Sequence, residues 1–138
     1  MNNKLIATIF CAALVSLSSL ARSESLDDNL DRLYSSVQAG YSLCKIQAVM
    51  AELRPPENRD LENCIQTQQD KIANLLLIII PLTKGKPKAL QAVKEFYSTW
   101  NNSIAMVGYD VTDNAPATMR VQIRTLSKEL GSTRIRDW

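Results

Sequence analysis

The chain has no histidine, and that absence removes whole classes of chemistry. Ser-His-Asp and Cys-His catalysis need an imidazole to carry the proton, and a histidine-ligated zinc site needs one as ligand. There is no glycine-rich phosphate loop either, so a nucleotide site has no support. Cysteine is scarce, with three in 138 residues, and no two have the C-x-x-C spacing of a redox-active pair. Charge is nearly balanced, with 16 basic against 14 acidic residues and a net charge of +2. Domains that bind nucleic acid in general are strongly basic, so no nucleic acid is expected as a partner.

What is present begins with an N-terminal export pattern. Met1-Asn2-Asn3-Lys4 precedes a mostly apolar stretch over residues 5–20, followed by small-residue exits at Ser19-Leu20-Ala21 and Ala21-Arg22-Ser23. A charged n-region, an h-region and an A-x-A-like site in that order read as a signal peptide, cleaved after Ala21 or Ser23. An uncleaved anchor is the weaker interpretation. A bilayer span takes about 20 strongly apolar residues, and this stretch is shorter and diluted by Thr8, Ser16, Ser18 and Ser19. No stable membrane anchoring is therefore expected once the signal is removed. Cleavage also removes Cys11 and Lys4, leaving Cys44 and Cys64 and a charge closer to zero. Two cysteines in an oxidising compartment predict a Cys44–Cys64 disulfide. Two thiols are too few for a structural zinc site, and no metal or cofactor is expected.

Periodicity points to helix along the rest of the chain. Ser25 is a good N-cap, with Asp27 and Asp28 in the first turn. Leu26, Leu30, Leu33, Val37, Tyr41, Cys44 and Ala48 form one stripe at steps of three and four. Leu43, Ile46, Met50 and Leu53 are expected to widen it. Pro55-Pro56 breaks the first helix. A second stripe runs through Leu61, Ile65, Gln68, Ile72, Leu75 and Ile79, and the wholly apolar residues 75–80 predict burial all round. The third runs from Pro87 through Leu90, Val93, Tyr97, Trp100, Ile104 and Val107, with Phe96 and Met106 flanking. The fourth starts near Asp113 or Asn114 and carries Met119, Ile123, Leu126 and Leu130, with Gly131 as its stop.

The expected fold is all-α: a small antiparallel bundle of about four helices after a cleaved signal peptide, its first hairpin stapled by the disulfide. Residues 1–23 are the signal, 24–131 the bundle and 132–138 a loose tail. Cys44 lies 11 residues before Pro55 and Cys64 eight after Pro56. At ~1.5 Å per residue that is roughly 16 Å and 12 Å from the turn, which a few irregular residues can reconcile.

Candidate sites are few. Glu52, Glu57, Asp60 and Glu62 crowd the first turn and are the candidate acids of a histidine-free, two-carboxylate hydrolase; helix-capping acids on a solvated turn are the preferred interpretation. Lys84, Lys86 and Lys88 alternate through the second turn, and Arg120, Arg124 and Lys128 recur at i, i+4, i+8. They form a candidate anion- or partner-binding surface, set against ordinary solvated charge. Trp138, after Arg134-Ile135-Arg136-Asp137, has the composition of an interface contact, set against a loose terminus without a role.

With no catalytic equipment, the expected function is that of an exported periplasmic protein, or alternatively a secreted one, acting by binding a periplasmic or envelope protein and performing no reaction itself. Inhibitors, immunity proteins and accessory factors of secretion or conjugation systems are of this physical type. The competing expectations are the hydrolase and a carrier of a small apolar ligand near residues 75–80 and 97–100. Two copies sharing the apolar end of the second helix would make a homodimer.

Overall fold

The computed structural model describes residues 25–53, 58–109 and 114–133. It contains α1 (Leu26–Leu53), α2 (Asn58–Ile79), a 3-10 turn (Ile80–Thr83), α3 (Pro87–Ala105) and α4 (Ala115–Leu130). Among the described residues there is no strand. The signal segment and residues 134–138 of the tail, with Trp138, lie outside the described residues, as do Pro55, Pro56, Glu57 and Asp113.

The first helix starts as its sequence dictates. The Asp28 backbone N–H donates to Ser25 Oγ at 3.1 Å, and the Ser25 N–H donates back to Asp28 Oδ2 at 3.2 Å. This reciprocal pair satisfies donors that a helix N-terminus otherwise leaves to water. Ser25→Ala is expected to destabilise the protein by about 1 kcal/mol, read from urea unfolding midpoints; an unchanged midpoint would show that water serves the same donors equally well. At the same end of the bundle, Gly131 closes α4. Its N–H donates to Lys128 O, and that of Ser132 to Ser127 O, both at 3.0 Å. These two bonds define a Schellman stop.

The helices alternate in direction. α1 packs along α2 and α4, α3 packs along the same two, and α1 and α3 meet only weakly across the diagonal. The disulfide joins Cys44 to Cys64 with their Cα atoms 5.6 Å apart. One turn further from the break, Gly40 faces Gln68. A Cβ at position 40 would lie 2.6 Å from Gln68 Oε1, so glycine is what lets this amide enter the buried seam. Bridge and close contact share one antiparallel register, which accounts for Gln68 as the polar member of an otherwise apolar stripe. At the far end, Ser132 Oγ donates to Asp27 Oδ1 at 2.5 Å, tying the end of α4 to the start of α1.

The core is one cluster drawn from all four helices, with Trp100, Phe96, Leu30, Leu33, Ile72, Ile104, Met119, Ile123 and Leu126 fully buried. Each such side chain contributes on the order of 1.5–3 kcal/mol of apolar burial. The α1 and α4 stripes are buried as expected, apart from half-buried Leu26.

Three expectations change. Leu43, Ile46 and Met50 do not widen the buried stripe of α1 but are exposed. At 100° per residue they fall on the side of the helix away from Tyr41, Cys44 and Ala48. The end of α2 is not buried all round: Leu75, Leu76 and Ile79 face the core, whereas Leu77, Ile78 and Ile80 face outward. A four-helix ring covers only the inward side of each member. Finally, the seam of α3 is rotated. Ala89, Ala92 and Phe96 are buried, and Leu90, Tyr97 and Met106 are exposed. The buried face of α3 thus runs through small alanines as well as Phe96 and Trp100, not through Leu90 or Tyr97.

Candidate functional site

The residues singled out in the sequence are dispersed. Glu52, Asp60 and Glu62 are exposed. Of these, only Glu52 lines the 240 Å³ cleft at that end of the bundle, beside Ala48, Leu61, Val107, Gly108 and Tyr109. The described residues thus bring no second carboxylate into this cleft, and two-acid hydrolysis requires a facing pair. Groups of three or more metal-ligating side chains are absent among the described residues.

The lysine run divides. Lys86 Nζ donates to the Leu130 carbonyl at 2.6 Å, where a cation satisfies a terminal acceptor and matches the negative end of the α4 dipole. Lys84 and Lys86 line a cleft of 550 Å³ with Ile80, Pro81, Thr83 and Leu90, and Lys88 does not. Arg120, Arg124 and Lys128 are exposed along α4. Lys128 is near the bundle end that holds Lys86, and Arg120 lies about 12 Å further along the helix. The six cations therefore do not converge on one anion site.

What the structure does assemble is apolar. Between α2 and α3 runs a groove of 310 Å³. Its walls are Leu77 and Ile80 on one side and Leu90 and Tyr97 on the other, all exposed. Its floor is Leu76 and Val93, each 3 % exposed. Ala73 and Lys94 complete the lining. At Ile80 and Leu90 the groove passes into the cleft that holds Lys84. Apolar space near residues 75–80 and Tyr97 therefore lies on the outside of the bundle, whereas Trp100 fills its interior.

The signal for this groove was present as an excess. Residues 75–80 carry more aliphatic side chains than one buried face accepts, and Leu90 and Tyr97 stand seven residues apart on α3. Their meeting across two helices depends on packing. A second exposed apolar stripe, Leu43, Ile46, Val49 and Met50, runs along α1. Among the described residues, no helix is long and apolar enough to cross a membrane. The chain matches no protein-family model, no curated protein and no solved structure.

Proposed function

We propose that this is an exported, periplasmic helical protein that acts by binding another protein, with the α2–α3 groove as its contact surface and no reaction of its own. The observation that carries the proposal is the groove itself: four large apolar side chains exposed above a buried apolar floor. Contiguous apolar surface of this kind marks interaction sites, and a groove between two helices suits the apolar face of a third. Export is supported by the N-terminal pattern and by the disulfide, which persists in oxidising compartments. Inhibition of an envelope-directed enzyme, immunity to one, and assistance to a secretion or conjugation machine all fit such a module.

The carrier alternative fits less well. Ligand pockets enclose 70–90 % or more of a small molecule, whereas Leu77, Ile80, Leu90 and Tyr97 leave this groove open to solvent. The hydrolase alternative has one described acid, Glu52, in the nearest cleft.

A photo-crosslinking residue at position 77 should capture a discrete heteromeric adduct in intact cells. The same residue at exposed position 121 on α4 should not. Leu77→Glu should abolish the adduct of a second crosslinker at position 73 with its unfolding midpoint unchanged, since surface substitutions usually shift stability by about 0.5 kcal/mol or less. No adduct at either groove position, or one formed only with a second copy, would remove the proposal.

A further inference from the structure

Resting on the reading of the groove as a protein-contact surface, we propose that its occupant is an acidic amphipathic helix, whose apolar face covers the α2–α3 groove and whose carboxylate pairs with Lys94.

The dimensions favour a helix. Ala73 to Ile80 on one wall and Leu90 to Tyr97 on the other both span seven residues, or about 10 Å at 1.5 Å per residue. That is two helical turns, the length over which apolar side chains at i, i+3 or i+4, and i+7 align on a docking helix. The floor formed by Leu76 and Val93 is apolar and almost fully covered, so it gains little from polar contacts.

Charge selects the sign of that helix. Lys94 is the one charged residue lining the groove. It stands midway along the α3 wall, four residues after Leu90 and three before Tyr97. It has no hydrogen bond or ion pair among the described residues, and no acid lines the groove. Lys84 stands in the adjoining cleft, past Ile80 and Leu90. A carboxylate on the occupant meets an unpaired cation, whereas a lysine there meets like charge, which suppresses a wrong partner. The same argument disfavours a second copy of this chain. In a two-fold contact over the groove neither copy brings a carboxylate from its groove lining to the other's Lys94, because an isologous interface matches a patch with itself and no acid lines the groove.

The test uses the full mature chain with its disulfide formed and two labelled synthetic peptides. Both carry leucine at i, i+3, i+4 and i+7; one has glutamate at the flanking positions and its twin has lysine. Fluorescence anisotropy should show the glutamate peptide binding about tenfold more tightly, the scale of one well-placed charge pair. Lys94→Glu should reverse the preference, and Lys94→Met should narrow it. Lys94 is exposed, so circular dichroism melting should show all three proteins equally folded. Equal binding of the two peptides, or no binding of either, overturns the proposal. So does binding of phosphatidylglycerol vesicles that Leu77→Glu abolishes while both peptides fail. Crosslinking from position 77 separates the two levels: a heteromeric adduct without peptide discrimination refutes the acidic helix and leaves the groove as the contact surface, whereas no adduct removes both.

Discussion

Replacing Cys44 and Cys64 together by alanine is expected to lower the unfolding free energy by about 3 kcal/mol. The two cysteines are 20 residues apart and join the facing sides of α1 and α2. The bridge therefore closes a loop in the unfolded chain that the native hairpin closes in any case. Most of its stabilisation comes from removing open conformations of the unfolded state, and the cost of a loop this size is about 3 kcal/mol. Small domains have ~5–15 kcal/mol in total, so the loss is a large fraction. For a domain of roughly 100 residues it corresponds to a fall in Tm of about 12 °C or more. Thermal unfolding of the oxidised, dithiothreitol-reduced and double-alanine proteins should place the last two close together and well below the first. A loss under about 1 kcal/mol would mean that the unfolded chain already keeps the hairpin closed. Alanine is preferable to serine because Cys44 is fully buried, and a buried hydroxyl without a partner adds a penalty of its own.

Gly108→Ala is expected to cost about 3 kcal/mol, from two separable causes. Gly108 follows α3 with φ at +93°, a conformation that strains a residue with a side chain by on the order of 1–3 kcal/mol. A Cβ there would also lie 2.6 Å from Ala48 Cβ. Ala48 is on the buried stripe of α1, and overlap in a packed site costs roughly 1–3 kcal/mol more. The causes separate in a double-mutant cycle. Ala48→Gly relieves the overlap but not the backbone strain, so the double variant should be at least about 1 kcal/mol more stable than the two single losses added together. Gly131→Ala is the control: its φ is +83°, but nothing lies within 4 Å of the added Cβ, so it should show the strain alone. Equal losses at 108 and 131 would show that the α1–α3 approach yields without cost.

Most of the helical framework was legible because it rests on local physics. Ser25 with Asp28 three residues on, proline before and within breaks, and glycine after the last apolar residue each act over one turn of chain. Among the described residues the structure uses the Ser25–Asp28 pair, Pro87 in the first turn of α3 and Gly131 after α4, whereas Asn114 precedes α4 without a side-chain cap. The disulfide was legible from the export-like N-terminal pattern, cysteine number and distance to the turn. The candidate site was legible only as a surplus of aliphatic residues, because periodicity reports that a helix has an apolar side but not how wide a side its neighbours will cover. Lys86 shows the same limit for charge. In sequence it is one of three equivalent lysines, and only the arrival of the α4 end makes it a cap for Leu130.

By itself, then, the sequence determined helices, their breaks, the cysteine pair that staples the first hairpin and a missing imidazole, since these depend on residue identity and local spacing. The tertiary structure decided the rest. Packing α3 through Ala89 and Ala92 rotated Leu90 and Tyr97 outward, and the one-sided cover of α2 left Leu77 and Ile80 facing them. The physical reason is that burial belongs to pairs of surfaces: a leucine becomes core only where another helix lies over it, and groove where none does.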